Sequence, residues 1–234
     1  MAFDFGPRHE LVLAVAHELG NHLGGIRLEA HLLCSDLGPR ELARASVEID
    51  SMAGRSGALL GLLRPLVVPG ERSTAGPSWL GVLDGARREL VDQGTRGVEV
   101  VFELTDDAAC SAPPVAWLHH LLMAWLGSTL SQLQTREGQK GRIQVSFVPG
   151  QSESLIVFED NAAEEDLSEG APRRERPLAL AIARTLLGEL GGHVEASIER
   201  QGTDETWTRV VWSVPKEIEG AGGGKGAGEG EGGV

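Results

Sequence analysis

The segment "AHELGNHLGGI", residues 16–26, places several groups that could do chemistry on one short stretch of chain. His17 is followed directly by Glu18, and Asn21 lies one helical turn further on. A neutral imidazole nitrogen is a competent nucleophile near pH 7, because an ordinary histidine pKa of about 6.5 leaves most of it unprotonated. The adjacent carboxylate can orient the ring or accept its proton. His17 is therefore a candidate nucleophile.

Glycines surround this histidine although each glycine costs a helix about 1 kcal/mol relative to alanine. With a helical step of about 100° per residue, Gly20 and Gly24 lie about 60° and about 20° from His17, and Asn21 about 40° from it. The apolar stripe of the same helix lies about 160° away. We therefore predict an exposed imidazole that a bulky partner can approach. The alternative is a surface histidine without a role.

Two runs of apolar residues at spacings of three and four predict the helices that must position His17. The first comprises Val12, Val15, Leu19, Leu23, Ile26, Ala30 and Leu33, and the second Leu42, Ala45, Ile49, Met52, Ser56, Leu59 and Leu63. Pro39 can occupy the first turn of the second helix, and the short loop predicts antiparallel neighbours. A lone hairpin buries too little apolar area to be stable, so we predict a homodimer that forms a four-helix bundle.

Composition excludes several classes of protein. The 234-residue chain is 41% hydrophobic and 24% charged, which is typical of a globular protein, and its net charge of −13 argues against a nucleic-acid partner. No apolar run reaches the length of about 18 residues that a membrane helix needs, and the start lacks a signal-peptide pattern. We expect a cytoplasmic protein without a membrane partner. No histidine pair has a metal-binding context, so no metal site is expected.

The chain divides into four parts, and the fold class predicted from them is α+β. Residues 1–66 form the helical hairpin, residues 67–77 a linker rich in proline and glycine, residues 78–216 a domain of alternating helices and strands, and residues 217–234 a Gly-rich tail expected to be disordered. In the third part, apolar residues alternate as in a strand at Ile143, Val145, Phe147, Leu155 and Val157. Helical spacing is found at Leu178, Ile182, Ala183, Leu186 and Leu190.

The segment "HELGNHLGGI" resembles the H-box of two-component sensor histidine kinases, which reads roughly H-E-[LI]-x-[NT]-P-L-x-x-I. The matching residues are His17, Glu18, Leu19, Asn21, Leu23 and Ile26, and His22 replaces the proline of the motif. The resemblance implies that His17 is the phosphoacceptor and that Glu18 is its acid/base neighbour. It also implies that Asn21 helps to position water during dephosphorylation of a response regulator.

Residues 78–215 resemble the ATP-binding domain of the same family, a sandwich of a mixed sheet and three helices, but key positions differ. The metal-binding asparagine of the N-box corresponds to Ser128, with Ala124 one turn earlier. The first glycine box, D-x-G-x-G, reads "DNAAE". It keeps Asp160, which by resemblance would bond the adenine amino group, but has Ala162 and Glu164 at the glycine positions.

The second glycine box, G-x-G-L-x-[LI], reads "RPLALAI" and lacks both glycines, with Arg176 or Pro177 and Leu178 in their place. Glycine serves in phosphate-binding loops because backbone N–H groups must approach the ligand and φ is often positive. Larger side chains obstruct that approach, and proline also removes a donor. We therefore expect no cofactor, with ATP and Mg²⁺ bound only if the chain is an active kinase.

Three functions remain open. The preferred one is a histidine phosphotransferase-like phosphorelay protein that exchanges a phosphoryl group between His17 and response-regulator aspartates. The second is an atypical cytoplasmic histidine kinase that still autophosphorylates or is phosphorylated by a partner kinase, and the retained Asp160 favours it. The third is a non-enzymatic pseudokinase scaffold. The expected partners are receiver domains of response regulators, a second copy of the chain and, for the second function, a partner histidine kinase.

Overall fold

The structure is a computed structural model, and two helices form its N-terminal part. It describes residues 6–33, 38–67, 77–95, 97–104, 108, 110–113, 115–134, 140–162, 175–201 and 205–216. The predicted tail at 217–234, Glu164 and nearly all of the predicted linker lie outside the described residues.

The N-terminal hairpin consists of α1 (Pro7–Leu33) and α2 (Pro39–Val67), which pack against each other. Helix α2 begins at Pro39, where a missing N–H costs no hydrogen bond, as the sequence predicts. In its first turn the Glu41 carboxylate accepts a hydrogen bond from the N–H of Gly38 at 2.9 Å. The two helices approach closely near Gly25, because a Cβ atom there would lie 2.5 Å from the sulfur of Met52.

The sandwich domain contains three helices and five strands. The helices are α3 (Trp79–Gln93), α4 (Trp117–Gln134) and α5 (Glu175–Gly188), and the strands are β1 (Val98–Glu103), β2 (Gly141–Pro149), β3 (Glu153–Asp160), β4 (His193–Gln201) and β5 (Glu205–Pro215). The sheet has the strand order β1-β2-β3-β5-β4. Strand β1 pairs with β2 in parallel and the other neighbours are antiparallel, so the sheet is mixed. The α+β fold class is confirmed.

Aromatic side chains fill the layer between the sheet and α4. The ring of Trp125 on α4 lies 6.0 Å from that of Phe158 and 6.4 Å from that of Trp212, and the latter two rings lie 4.7 Å apart. Since successive residues of a strand point to opposite faces, Leu155 and Val157 lie on the face of β3 away from α4. The inward face of β3 thus carries Phe158 and, two residues on, Asp160.

The hairpin packs directly against the sandwich. Helix α2 contacts α4 and α5, and α1 contacts α5. Leu59 and Leu62 of α2 are fully buried, and they belong to the same continuous apolar core as the sandwich residues. At the start of α1, Arg8 donates from Nε to Glu189 Oε1 at 2.8 Å and from Nη2 to Glu189 Oε2, just beyond the end of α5. One core therefore joins the two parts of the chain.

The turn from α5 into β4 requires a glycine at position 192. The N–H of Gly192 donates to the carbonyl of Leu187 at 2.9 Å, and a Cβ atom at position 192 would lie 2.2 Å from the carbonyl oxygen of Ser213. A Cβ at Gly188, the last residue of α5, would meet nothing within 4 Å. There is therefore space for a side chain at position 188 but not at position 192.

We predict that Gly192→Ala lowers the free energy of unfolding by about 2 kcal/mol or more, because the methyl group forces β5 away from the turn. The matched change Gly188→Ala should stay within about 0.5 kcal/mol of the original chain. Urea denaturation followed by circular dichroism measures both variants. Equal effects of the two substitutions would contradict the close approach at Gly192.

Candidate functional site

The structure places His17 on an exposed face of α1. Val15, which lies about 160° around the helix from it, is fully buried in the shared core. A Cβ atom at Gly20 or Gly24 would meet nothing within 4 Å, so the surface beside the imidazole is open. The face of α1 that carries His17 is therefore turned away from the side on which the helix packs.

Glu18 and Asn21 are brought together on the flank of α1. The Nδ2 group of Asn21 donates to Glu18 Oε2 at 3.2 Å, and Glu18 Oε1 lies 3.7 Å from His22 Nε2. The side chains of Glu18 and His22 are 13% and 14% exposed. In this arrangement both carboxylate oxygens of Glu18 contact residues of the next turn.

His22 is a contact residue that the sequence interpretation left without a role. Its burial lowers its pKa, and Arg55 of α2 lowers it further, while the Glu18 carboxylate opposes the shift. The Nδ1 atom is buried and has no hydrogen-bond partner among the residues that the structure describes. The replacement of the motif proline by a histidine was the signal in the sequence that pointed to this position.

Ser128 and Ala124 lie on the side of α4 that faces the hairpin. They line a cavity of about 520 Å³ whose opposite wall includes Gly57 and Gly61 of α2. Ser128 is buried, and its hydroxyl donates to the carbonyl of Trp125 at 2.8 Å. The hydroxyl at this position is thus bonded to the backbone of its own helix.

Asp160 ends β3 inside the sandwich, where it is 1% exposed. Its Oδ1 accepts from the N–H of Ala162 at 3.0 Å, and its Oδ2 accepts from Nη2 of Arg176, which is 2% exposed. Arg176 Nη1 donates to Gln132 Oε1 at 3.4 Å, and the guanidinium carbon lies 5.3 Å from the ring centroid of Trp125. The sequence interpretation named Arg176 solely as a replacement for a lost glycine, and no local pattern paired it with Asp160.

The positions of the two glycine boxes that the structure describes are occupied by buried side chains. Ala162 and Leu178 are both buried in the core. Neither Ala162 nor Leu178, which lies within α5, therefore offers exposed backbone. Asp160 and Ser128 lie in the sandwich, whereas His17, Glu18 and Asn21 lie on α1, so the predicted residues form two separate groups.

Solved structures provide the comparison for this arrangement. The histidine kinase ThkA in complex with response regulator protein TrrA aligns with a TM-score of 0.56 at 13% identity, covering 90% of this chain and 62% of that one. The Acinetobacter baumannii histidine kinase AdeS gives a TM-score of 0.45 at 14% identity, covering 89% and 98% of the two chains. A bacterial phosphotransferase gives 0.45 at 16% identity, covering 90% and 97%.

At 13% identity, the similarity to ThkA shows the fold alone. The chain has the fold of a histidine kinase core, with an ATP-binding-type sandwich after a helical hairpin. No protein-family model matches the sequence. No curated protein matches it either. Within the described part of the chain, none of the helices combines the length and the apolar character needed to cross a bilayer.

We predict that the pKa of His22 lies below the ordinary histidine value of about 6.5, since the folded state disfavours the charged ring. The neutral ring then contributes stability that is fully present above the unfolded pKa and is lost as the pH falls through the folded pKa. NMR titration of the ring protons measures the shift.

The neighbours of His22 supply matched controls for this titration. Glu18→Gln should lower the pKa of His22 further, because it removes the carboxylate that favours the charged ring. Arg55→Ala should raise it, because it removes a repelling cation. A His22 pKa above the ordinary value, or shifts of the opposite sign in the two variants, would contradict the assigned environment.

Proposed function

We propose that this chain is a two-component phosphorelay protein of the histidine phosphotransferase type, with His17 as the residue that carries the phosphoryl group. The observation that supports the proposal is the exposed imidazole on the open face of α1, about 160° from the buried Val15. The fold of a histidine kinase core and the complex of ThkA with a response regulator protein also support it. The proposed partners are receiver domains of response regulators.

The proposed reaction moves a phosphoryl group from an aspartyl phosphate of one receiver to His17. The lone pair of a neutral imidazole nitrogen attacks phosphorus, a P–N bond forms, and the P–O bond to aspartate breaks with its electron pair on the carboxylate. The receiver supplies the Mg²⁺ that balances charge on the phosphoryl oxygens, so this chain needs to provide position and access. The reverse reaction passes the group to the aspartate of a second receiver.

Glu18 and Asn21 have supporting roles in this proposal. The hydrogen bond from Asn21 fixes the Glu18 carboxylate, whose negative charge beside the open face favours the imidazolium that forms as phosphorus is attacked. Because Glu18 also contacts His22, the carboxylate is held on the flank of α1 and does not block the approach to His17.

We also infer that the sandwich does not bind MgATP. The hydroxyl of Ser128 is bonded to the carbonyl of Trp125, and the Asp160 carboxylate is buried against Arg176. Buried side chains at Ala162 and Leu178 stand where exposed glycine backbone would be needed. No step of the proposed reaction uses a nucleotide, and the sandwich serves as the support on which the hairpin packs.

The apolar seam of the hairpin supports a homodimer. Val15 is fully buried within the single chain, but Leu23 on the same seam is 54% exposed and Ala30 is exposed as well. A second copy that packs its hairpin against this side would remove these residues from water and form the four-helix bundle. The dimer would leave the His17 face accessible.

Two other functions, those of a kinase and of a scaffold, are distinguished from the proposed one by experiment. An atypical kinase that autophosphorylates or receives phosphate from a partner kinase is favoured by the retained carboxylate of Asp160. A scaffold without phosphoryl chemistry needs no open surface at His17, so Gly20 and Gly24 argue against it.

We predict that label passes from a phosphorylated receiver domain to the wild-type chain and that His17→Ala reduces the transfer at least a hundredfold, because the variant has no nucleophile. The matched control is His31→Ala, which removes an exposed histidine four turns along the same helix and should leave transfer unchanged. A panel of phosphorylated receivers incubated with each protein and separated by gel electrophoresis measures the transfer.

The same assay separates the alternatives. Label on His17 after incubation with labelled ATP and Mg²⁺ alone would establish the kinase and contradict our proposal. Receivers that bind the chain without transferring label would establish the scaffold. Equal loss of transfer in the two histidine variants would show that His17 has no special role.

We predict that Leu23→Glu converts the dimer to a monomer, since a charge on the uncovered part of the seam would be buried on association. Leu28→Glu is the matched control, because Leu28 is 61% exposed and lies about 140° around α1 from Leu23. Sedimentation equilibrium of both variants at micromolar concentration measures the change. A wild-type chain that sediments as a monomer would refute the dimer.

A further inference from the structure

The side chain of Arg176 lies in a pocket built from α4 and β3. The Asp160 carboxylate accepts one N–H of the guanidinium, Gln132 accepts another, and the indole of Trp125 lies 5.3 Å from the guanidinium carbon. Asp160 comes from the end of β3, Gln132 and Trp125 come from α4, and Arg176 is the second residue of α5. The side chain thus joins three elements at one buried point.

The chemistry of this pocket matches a flat cation that carries N–H donors along its edge. The Asp160 carboxylate provides the opposite charge, and the amide oxygen of Gln132 is a second hydrogen-bond acceptor. The ring of Trp125 attracts a cation through its negative face. A guanidinium has all three properties, whereas an ammonium is compact and lacks the plane. The walls therefore discriminate by shape as well as by charge.

Burial makes the two charges depend on each other. Asp160 and Arg176 are 1% and 2% exposed, so removal of either partner takes a contacting opposite charge away from a charge in the core. Such a loss is strongly destabilising, whereas replacing both partners by uncharged groups of similar volume is often neutral. The guanidinium occupies space next to the carboxylate, so no other flat group can reach that oxygen while Arg176 remains.

We propose that the pocket of Asp160, Gln132 and Trp125 is a binding site for planar cations and that Arg176 is its resident ligand. Occupation by Arg176 closes this pocket to the amino edge of a nucleotide base. It also anchors the start of α5 to α4 and β3. The proposal deepens the inference that the sandwich does not bind MgATP and is independent of the chemistry at His17.

The test removes the resident ligand and supplies a small replacement. Arg176→Ala should lower the ratio of folded to unfolded protein by roughly two orders of magnitude, since it removes the guanidinium that contacts the buried carboxylate of Asp160. Methylguanidinium at millimolar concentration should restore a measurable part of the melting temperature of this variant and leave the wild type unchanged. Calorimetry should show saturable binding of methylguanidinium to Arg176→Ala alone.

Two further variants act as controls. The double variant Asp160→Asn with Arg176→Ala should neither bind methylguanidinium nor regain stability, because the charge of the pocket is gone. Arg88→Ala removes an exposed arginine that pairs with Asp84, and it should change stability little and show no response to methylguanidinium.

The other possible results for Arg176→Ala and the wild type also test the proposed site. If Arg176→Ala fails to fold, refolding in methylguanidinium should recover the native circular dichroism spectrum, and failure to recover it would overturn the proposal. A variant as stable as Arg88→Ala, or an equal response of the wild type to methylguanidinium, would overturn it too. Micromolar binding of MgATP to the wild type would refute the closure of this pocket. Phosphoryl transfer to His17 is measured separately and tests the phosphorelay function by itself.

Discussion

The arrangement of this protein depends on the packing of α2 against α4. Helix α4 has the sheet on one side and the hairpin on the other, which is why 11 of its 18 residues are buried. The same contact places Leu59 and Leu62 of α2 in the core of the sandwich. Since α1 packs on α2 and α5, the buried Val15 fixes the rotation of α1, and that rotation directs His17 to solvent. The exposure of His17, the proposed phosphoacceptor, therefore follows from the apolar contacts of α1 and α2 with the rest of the core.

Much of the fold could be predicted from the sequence because its signals are local. Spacings of three and four residues predicted α1, α2 and α5, Pro39 predicted the start of α2, and alternation predicted β2. The pairing of Asp160 with Arg176 could not be predicted in this way, because the two residues meet through tertiary packing across a stretch of 16 positions. The contacts of Glu18 with His22 lie on one helix turn and were within reach of helical geometry. The motif comparison does not predict these contacts, because it treats His22 solely as the replacement of a proline.

The two groups of polar residues differ in the kind of change each tolerates. Around His17 the proposed phosphoryl transfer needs open space, which Gly20 and Gly24 provide. Around Asp160 the requirement is complete occupation, because a carboxylate without a partner is costly in a core that includes Trp125. The buried contacts of Arg176 join β3, α4 and α5 at one point of the sandwich. The described residues thus combine an ATP-binding-type fold with a buried ion pair at Asp160.

The ion pair between Arg8 and Glu189 bears on how fast a partner can associate with α1. It joins the beginning of α1 to Glu189, the residue directly after α5. Separation of the hairpin from the sandwich would break this pair and expose the shared core to water at the same time. A partner that meets α1 therefore encounters a preformed surface, and association can proceed as the collision of two rigid bodies. The rate of each encounter is then governed by diffusion and by the long-range field of a chain with a net charge of −13, so it varies with ionic strength.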